Sequence, residues 1–266
     1  MRTLGVLGAT GRMGTLVIDE IVRSDALRLG AAIAHAGSTR IGEDAGQSVG
    51  AGPIGVGISS TAEGCFDGCD AVIDFSTPEA LAACLPHMRG IPLVSGTTGL
   101  GPESLDALMH HSQSAPLLVA SNFSTGVAVL LDLVRRAAAA LPNYDIEVVE
   151  AHHRHKVDAP SGTALSLARA AAIGRQQELS EVALVGRGAA DGRRISGQIG
   201  LHAIRGGGII GDHEVMLVGD GERISIGHTA IRRSTFAEGA VRAATWLCGR
   251  SPGRYALTDV LGLTAT

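Results

Sequence analysis

A short apolar run, Thr3 to Leu7, ends on three evenly spaced glycines, Gly8, Gly11 and Gly14, and helical spacing follows at Leu16-Val17-Ile18-Asp19-Glu20-Ile21-Val22. Strand, glycine turn and helix in that order constrain what comes next. A strand that feeds a helix returns as a parallel neighbour through a right-handed crossover, which builds a sheet covered by helices. Glycines at these places let the backbone approach a pyrophosphate and let the helix pack on the strand, with the helix N-terminus facing the phosphates. The spacing is G-x-x-G-x-x-G, a variant of G-x-G-x-x-G. An ordinary βα turn that tolerates glycine would read the same, but the place of the motif after an N-terminal strand favours a dinucleotide site.

The units that follow keep the same grammar. Leu27 to Ala34 reads as a second strand, and Ala71-Val72-Ile73-Asp74-Phe75-Ser76 as a buried strand ending in polar residues, before a helix opened by Thr77-Pro78-Glu79. Pro92 to Ser95 leads into Gly96-Thr97-Thr98-Gly99, and Pro116 to Ala120 into Ser121-Asn122-Phe123. The fold class expected is α/β, a Rossmann-type doubly wound parallel sheet, in which ligands bind at the carboxyl ends of the strands. Ser76, Thr77, Thr97, Thr98, Ser121 and Asn122 gather at those ends. Each alone could be a helix cap; together they favour a cofactor crevice.

Beyond residue 123 the pattern changes. Thr125 to Leu141 reads as a long helix, and Asp145 to Ala151 alternates as a strand. After a helix over Ala164 to Ala172, strands are expected at Ile195 to His202, Glu214 to Val218 and Arg223 to Thr229, the last two joined at Gly219-Asp220-Gly221-Glu222. Consecutive hairpin strands do not continue a parallel sheet. The expectation is a second α+β domain with a mixed open sheet over 124–234, after a dinucleotide-binding domain over 1–123. A helical segment, 235–266, can return to the first domain, with hinges near Phe123-Ser124 and Thr235. Gly206-Gly207-Gly208 receives no role from sequence alone.

The expected strand at Asp145 delivers a run rich in proton donors and fixed charge: His152, His153, Arg154, His155 and Lys156, followed by Pro160-Ser161-Gly162-Thr163. Histidine exchanges protons near neutral pH. The turn opens a helix whose N–H groups suit a carboxylate or phosphate. A solvated basic loop is the plain alternative. Metal binding fits poorly, because Arg154 and Lys156 repel a cation and no carboxylate or cysteine sits at ligand spacing; no metal is expected. In an extended chain His152 and His153 point to opposite sides, so one shared job is not expected.

Composition narrows the partners. The 266 residues are 45% hydrophobic, 18% charged and 3% aromatic, with net charge −4. That excludes a phosphate-tracking basic surface and base-stacking platforms, so no nucleic acid is expected. No stretch approaches the roughly 18 apolar residues of a membrane span. The N-terminal apolar run is too short for a signal peptide, and Cys65, Cys69, Cys84 and Cys248 read as reduced thiols, which points to the cytoplasm. The end of the second strand reads Ala34-His35-Ala36-Gly37 without a carboxylate for a ribose hydroxyl, and His35, Arg40 and Arg12 are the nearest charges. That tilts the cofactor towards NADPH, with NADH possible.

Taken together, Glu150 to Ala164, the turn Gly8 to Gly14, Asp74-Phe75-Ser76, Gly96 to Gly99, Ala120 to Ser124, Gly206, Gly211-Asp212-His213 and Phe236 to Arg242 resemble the 4-hydroxy-tetrahydrodipicolinate (dihydrodipicolinate) reductase family over nearly the whole chain. The resemblance implies hydride transfer from NADH or NADPH to a cyclic unsaturated dicarboxylate in lysine and diaminopimelate synthesis. It implies His152 as acid/base, Lys156 as proton donor, and His153, Ser161, Gly162, Thr163 and Thr98 at the substrate. Cofactor contacts carry over to Gly8, Ala9, Thr10, Gly11, Arg12, Met13, His35, Phe75, Gly96, Thr97, Thr98, Ala120, Ser121, Asn122 and Phe123, and a homotetramer to the second-domain sheet. Family members often carry an acidic residue and an arginine where this chain has Ala34 and His35. Two other readings compete: a nicotinamide oxidoreductase of another small carboxylate, and a dinucleotide sensor without catalysis. The first is disfavoured because the histidine-run match extends through the Pro-Ser-Gly-Thr turn. The second would be favoured by loss of the histidine or lysine, and both are present.

Overall fold

The computed structural model describes residues 1–263, so residues 264–266 of the expected last segment lie outside the described residues. In chain order the elements are β1 (Arg2–Leu7), α1 (Arg12–Val22), β2 (Leu27–Ile33), β3 (Ile58–Ser59), β4 (Ala71–Asp74), α2 (Pro78–Cys84), β5 (Leu93–Ser95), α3 (Pro102–His111) and β6 (Pro116–Val119). Then come α4 (Thr125–Ala140), β7 (Asp145–His152), α5 (Gly162–Gly174), α6 (Leu179–Val182), β8 (Ala183–Val185), β9 (Ile199–Arg205), β10 (Asp212–Val218), β11 (Arg223–Thr229), α7 (Ser234–Leu247), β12 (Gly253–Tyr255) and α8 (Leu257–Val260). The chain divides into two compact units, Gly126–Arg233 and the remainder.

The first unit is built on a seven-stranded sheet in the order β12-β6-β5-β4-β1-β2-β3. Every neighbouring pair is parallel. Its central strands are short and mostly apolar because both faces are covered. β4 is wholly buried, and Leu7, Ile33, Val72, Leu81, Met88, Leu93 and Leu117 share one core cluster with Phe66. Helix α1 runs apolar on one side, at Val17, Ile18 and Ile21, and packs with α7. After the excursion through the second unit, α7 covers β4, β5 and β6, and β12 pairs with β6 as the sheet's edge. The sequence reading anticipated neither β3 nor β12, which are two and three residues long.

The second unit is a mixed sheet in the order β11-β10-β7-β9-β8. β11, β10 and β7 run antiparallel in turn, whereas β9 and β8 join parallel to β7. The expected hairpin is present: the Gly219 N–H donates to the Glu222 carbonyl at 2.9 Å. Ile146, Val148, Ile199, Leu201, Val215 and Leu217 form one apolar face with Leu130 and Val134 of α4 and Leu167 of α5. Strand β9 begins at Ile199 rather than Ile195. Gln198 closes a turn with its own N–H on the Ile195 carbonyl, its side-chain amide oxygen accepting from the Ile195 N–H, and Arg194 capping its carbonyl. Strand β8 was not anticipated.

Candidate active site

In the first unit the glycine turn is held from both sides. The N–H groups of Gly8 and Ala9 both donate to the Ile33 carbonyl, at 2.8 and 2.9 Å, which ties the turn to the end of β2. Gly8 has φ +84°, and a Cβ there would strike the Phe75 carbonyl; a Cβ on Gly14 would strike the Gly8 carbonyl. Side chains are therefore excluded where strand and helix come closest. Helix α1 starts at Gly11 without a side-chain cap and without an acidic residue in its first turn. The N–H groups of Arg12, Met13 and Gly14 have no acceptor within the helix, and Arg12 is exposed beside them. This start fits a pyrophosphate.

At the ends of β4 and β5 the organising group is Asp74, which is fully buried. It accepts from the hydroxyls of Ser76 (2.5 Å), Ser95 (2.6 Å) and Thr97 (2.7 Å) and from the Ser76 N–H (2.9 Å). Burial pushes its pKa up against those four bonds. Thr97 is thus turned inward, which leaves its backbone and neighbouring Thr98 to line the turn; Thr77 caps α2 through the Ala80 N–H. Phe75 and Phe123 meet edge to face at 5.5 Å, and a Cβ on Gly96 would overlap the Phe75 ring. Asn122 accepts from the Ser124 N–H at 2.7 Å and shapes the Ala120–Phe123 turn. Gly239 of α7 has no room for a Cβ against the Phe123 carbonyl. Near the end of β2, His35 is exposed and the Ser38 hydroxyl bonds that of Thr10 at 3.4 Å. Arg40 is engaged elsewhere, on Glu43 and on the Ser48 carbonyl.

In the second unit β7 delivers Glu150 and His152 to one face by its period of two. Glu150 is 1% exposed and accepts four donors. Oε2 takes His152 Nδ1 at 2.6 Å and Arg205 at 2.8 Å; Oε1 takes Arg205 at 2.7 Å and the Ser161 N–H at 3.0 Å. Burial alone would raise this carboxyl's pKa, but the bonds from Arg205, His152 and Ser161 outweigh it and hold it below the usual range. Arg205 also donates to the Asp158 carbonyl. The extended strand stops at His152, and the two neighbouring histidines part: His152 lies 5.2 Å edge-to-face from His213, whereas His153 lies 6.2 Å from His155. Lys156 pairs with Asp158 at 2.8 Å. Ser161 caps α5 through the Ala164 N–H, so Gly162 and Thr163 form the first turn of a 13-residue helix. His213 is buried, bonded through Nε2 to the Ser161 hydroxyl at 3.3 Å, and its pKa is lowered to about 4, first by burial and then by the neighbouring His152.

Arg205 and His213 were not singled out individually by sequence reading. The signal available for Arg205 was a cation ending a strand directly before three glycines. Those glycines now have a place: the Gly206 N–H donates to the His152 carbonyl at 3.0 Å and the Arg154 N–H to the Gly207 carbonyl at 3.3 Å. Among the described residues no group of histidine, cysteine and carboxylate side chains could hold a metal, and no helix is long and apolar enough to cross a membrane.

Two family profiles match, "Dihydrodipicolinate reductase, N-terminus" over residues 2–123 and "Dihydrodipicolinate reductase, C-terminus" over 126–261. The 4-hydroxy-tetrahydrodipicolinate reductases of Alkalilimnicola ehrlichii and of Acinetobacter baumannii strain AYE are each 46% identical over 263 residues. The match spans 98% of this chain in both, and 98% and 96% of those proteins. A dipicolinate-bound dihydrodipicolinate reductase from Paenisporosarcina sp. TG-14 shares the fold, with TM-score 0.74 and 21% identity over 97% of this chain and 98% of that one. The class so defined is the NAD(P)H-dependent oxidoreductases with a Rossmann-type unit. Within it, the chain belongs to the dihydrodipicolinate reductase family and reduces 4-hydroxy-tetrahydrodipicolinate to tetrahydrodipicolinate in lysine and diaminopimelate biosynthesis.

Proposed function

We propose that His152 and Lys156 carry the proton chemistry of this reduction, and that the substrate's carboxylates are taken by the Ser161-Gly162-Thr163 helix start with His153. The observation that carries this reading is the bond from His152 to Glu150, whose other oxygen holds the Ser161 N–H. One carboxylate thereby sets both the proton-exchanging ring and the anion-binding turn. The dipicolinate bound by the Paenisporosarcina protein is a ring dicarboxylate of the kind this turn suits. Residues 1–123 serve as the dinucleotide-binding domain, 124–234 as the substrate and oligomerisation domain, and the segment from 235 completes the first.

When bound, the reduced nicotinamide supplies the hydride. As the electron pair is displaced along the substrate's conjugated C=C–C=N system, negative charge collects at the far end, and a positioned acid that neutralises it contributes about 10²–10⁴-fold. His152 donates there, with Lys156 beside it. The dinucleotide is held by Gly8, Ala9, Thr10, Gly11, Arg12 and Met13 at its phosphates, and by Phe75, Gly96, Thr97, Thr98, Ala120, Ser121, Asn122 and Phe123 towards the nicotinamide.

NADPH is preferred over NADH. No carboxylate stands at Ala34 or His35 to repel a 2′-phosphate, the hydroxyls of Ser38 and Thr10 lie together, and Arg12 and His35 are exposed. Arg40 does not contribute, since Glu43 and Ser48 hold it. A cytoplasmic homotetramer forms through the sheet face of the second unit that points away from α5, where Ile204 is 51% exposed. A coupled assay tests this reading: pyruvate and aspartate semialdehyde supply the substrate, and absorbance is followed with each cofactor separately. Faster oxidation of NADPH than NADH at equal subsaturating concentration is expected; the reverse overturns the preference. His152→Ala should cut turnover about 100-fold and leave NADPH binding unchanged, and equal losses in both would make His152 structural.

A further inference from the structure

We propose that Glu150, clamped by Arg205, is the positioning residue that fixes His152 as its Nδ1–H tautomer, so that Nε2 is the only atom through which this ring exchanges a proton. The inference rests on the reading of His152 as the acid/base and deepens it.

An ionised carboxylate only accepts hydrogen bonds. With Oε2 2.6 Å from Nδ1, that nitrogen must carry a proton in the neutral ring as well as in the cationic one; a lone pair facing the carboxylate would repel it. Arg205 makes the ionised state secure, because both oxygens take a guanidinium N–H in fork geometry. The remaining acceptor positions go to His152 and to the Ser161 N–H, so the carboxylate is fully used and has no freedom to turn. Nε2 receives no hydrogen bond from the described residues. Its near neighbour is Gly211, where a Cβ would stand 3.1 Å from Nε2. The glycine keeps that edge of the ring clear.

The charged and titratable groups around the ring come from four places: Glu150 on β7, Arg205 on β9, His213 on β10, and His153 with Lys156 in the loop. Among the described residues only Glu150 reaches Nδ1. In the reaction the Nε2–H bond breaks and its proton joins the substrate atom that has gained the electron pair. Neutral His152 remains, protonated on Nδ1, and a solvent proton restores Nε2–H. Were Nδ1 to exchange instead, the ring would have to give up its bond to Glu150, the carboxylate that also holds the Ser161 N–H.

The decisive experiment is nitrogen NMR of ¹⁵N-histidine-labelled enzyme, unaltered and as Glu150→Gln, with His152→Ala to assign the signal. In the unaltered enzyme, neutral His152 is expected as the Nδ1–H tautomer; finding Nε2–H overturns the proposal without any variant having to fold. Glu150→Gln should raise the Nε2–H population, lower kcat about 100-fold and leave the Kd for NADPH unchanged. In the His152→Ala background the same substitution should cost no more than about twofold, since its effect runs through the ring. A full additive loss there would reduce Glu150 to a fold-holding ion pair. His152→Ala with undiminished kcat would sink the acid assignment itself, and the proposal with it.

Discussion

Asp74 in the first unit and Glu150 in the second are both buried carboxylates near the carboxyl ends of strands, each saturated with four hydrogen bonds, yet they are held in different ways. Asp74 is met by three hydroxyls and an N–H, with no cation among its partners, and burial wins: its pKa is pushed up. Glu150 is met by Arg205, and its pKa is pushed down despite comparable burial. Hydroxyl donors satisfy geometry without offsetting charge, which suits a group that must only gather loops. A guanidinium partner keeps a carboxylate ionised, which suits one that must dictate where a neighbour's proton sits.

The sharpest break would come from Arg205→Met. It strands Glu150 as a buried charge and should destabilise the protein by about 4 kcal/mol, the scale for removing one member of a buried pair; urea unfolding would measure it. Next is the acid response of His213. Its pKa of about 4, set mainly by burial, lies below the ordinary histidine value of 6.5. Between those values the unfolded chain binds the extra proton, so stability falls as pH drops, by up to about 3 kcal/mol. His213→Gln should flatten that slope, and an unchanged slope would mean the ring is charged in the fold. Asp74→Ala leaves three hydroxyls without their acceptor and should cost about 2 kcal/mol, while weakening NADPH more than it lowers kcat.

The smallest effects test the comparison most directly. Asp74, with its raised pKa, adds stability that is lost as pH rises through its folded value. Glu150, with its lowered pKa, adds stability that is lost as pH falls through its folded value. Measured from about pH 6 down to about pH 3.5, the stability gap between the unaltered protein and Asp74→Asn should widen, and the gap to Glu150→Gln should narrow. Slopes of the same sign would end the contrast.

What the sequence made visible was local. The strand–glycine–helix start, the hairpin at Gly219–Glu222 and the helix opened by Ser161 are each written in a few adjacent residues and stand as read. Strands of two or three residues, such as β3, β8 and β12, carry too little periodicity to detect; they exist because neighbouring strands offer them an edge. The candidate site divides the same way. The histidine run and its turn were evident, but the bond from Arg205 to Glu150 spans 55 positions and follows only from β9 lying beside β7, with Arg205 opposite His152. Thr97 was read among the residues of the cofactor crevice, and the bond from its hydroxyl to Asp74, 23 positions away, follows only from β5 lying beside β4.

The chain from Ser234 on supplies α7 and the edge strand β12 of the first unit's sheet, and Gly239 of that helix lies against the Phe123 carbonyl in the turn proposed for the cofactor. During synthesis, therefore, the ribosome finishes every strand of the second unit before the first can close. A nascent chain released at residue 233 would carry the whole histidine run and every strand of the second sheet, and would still lack α7 and the edge strand β12 of the first.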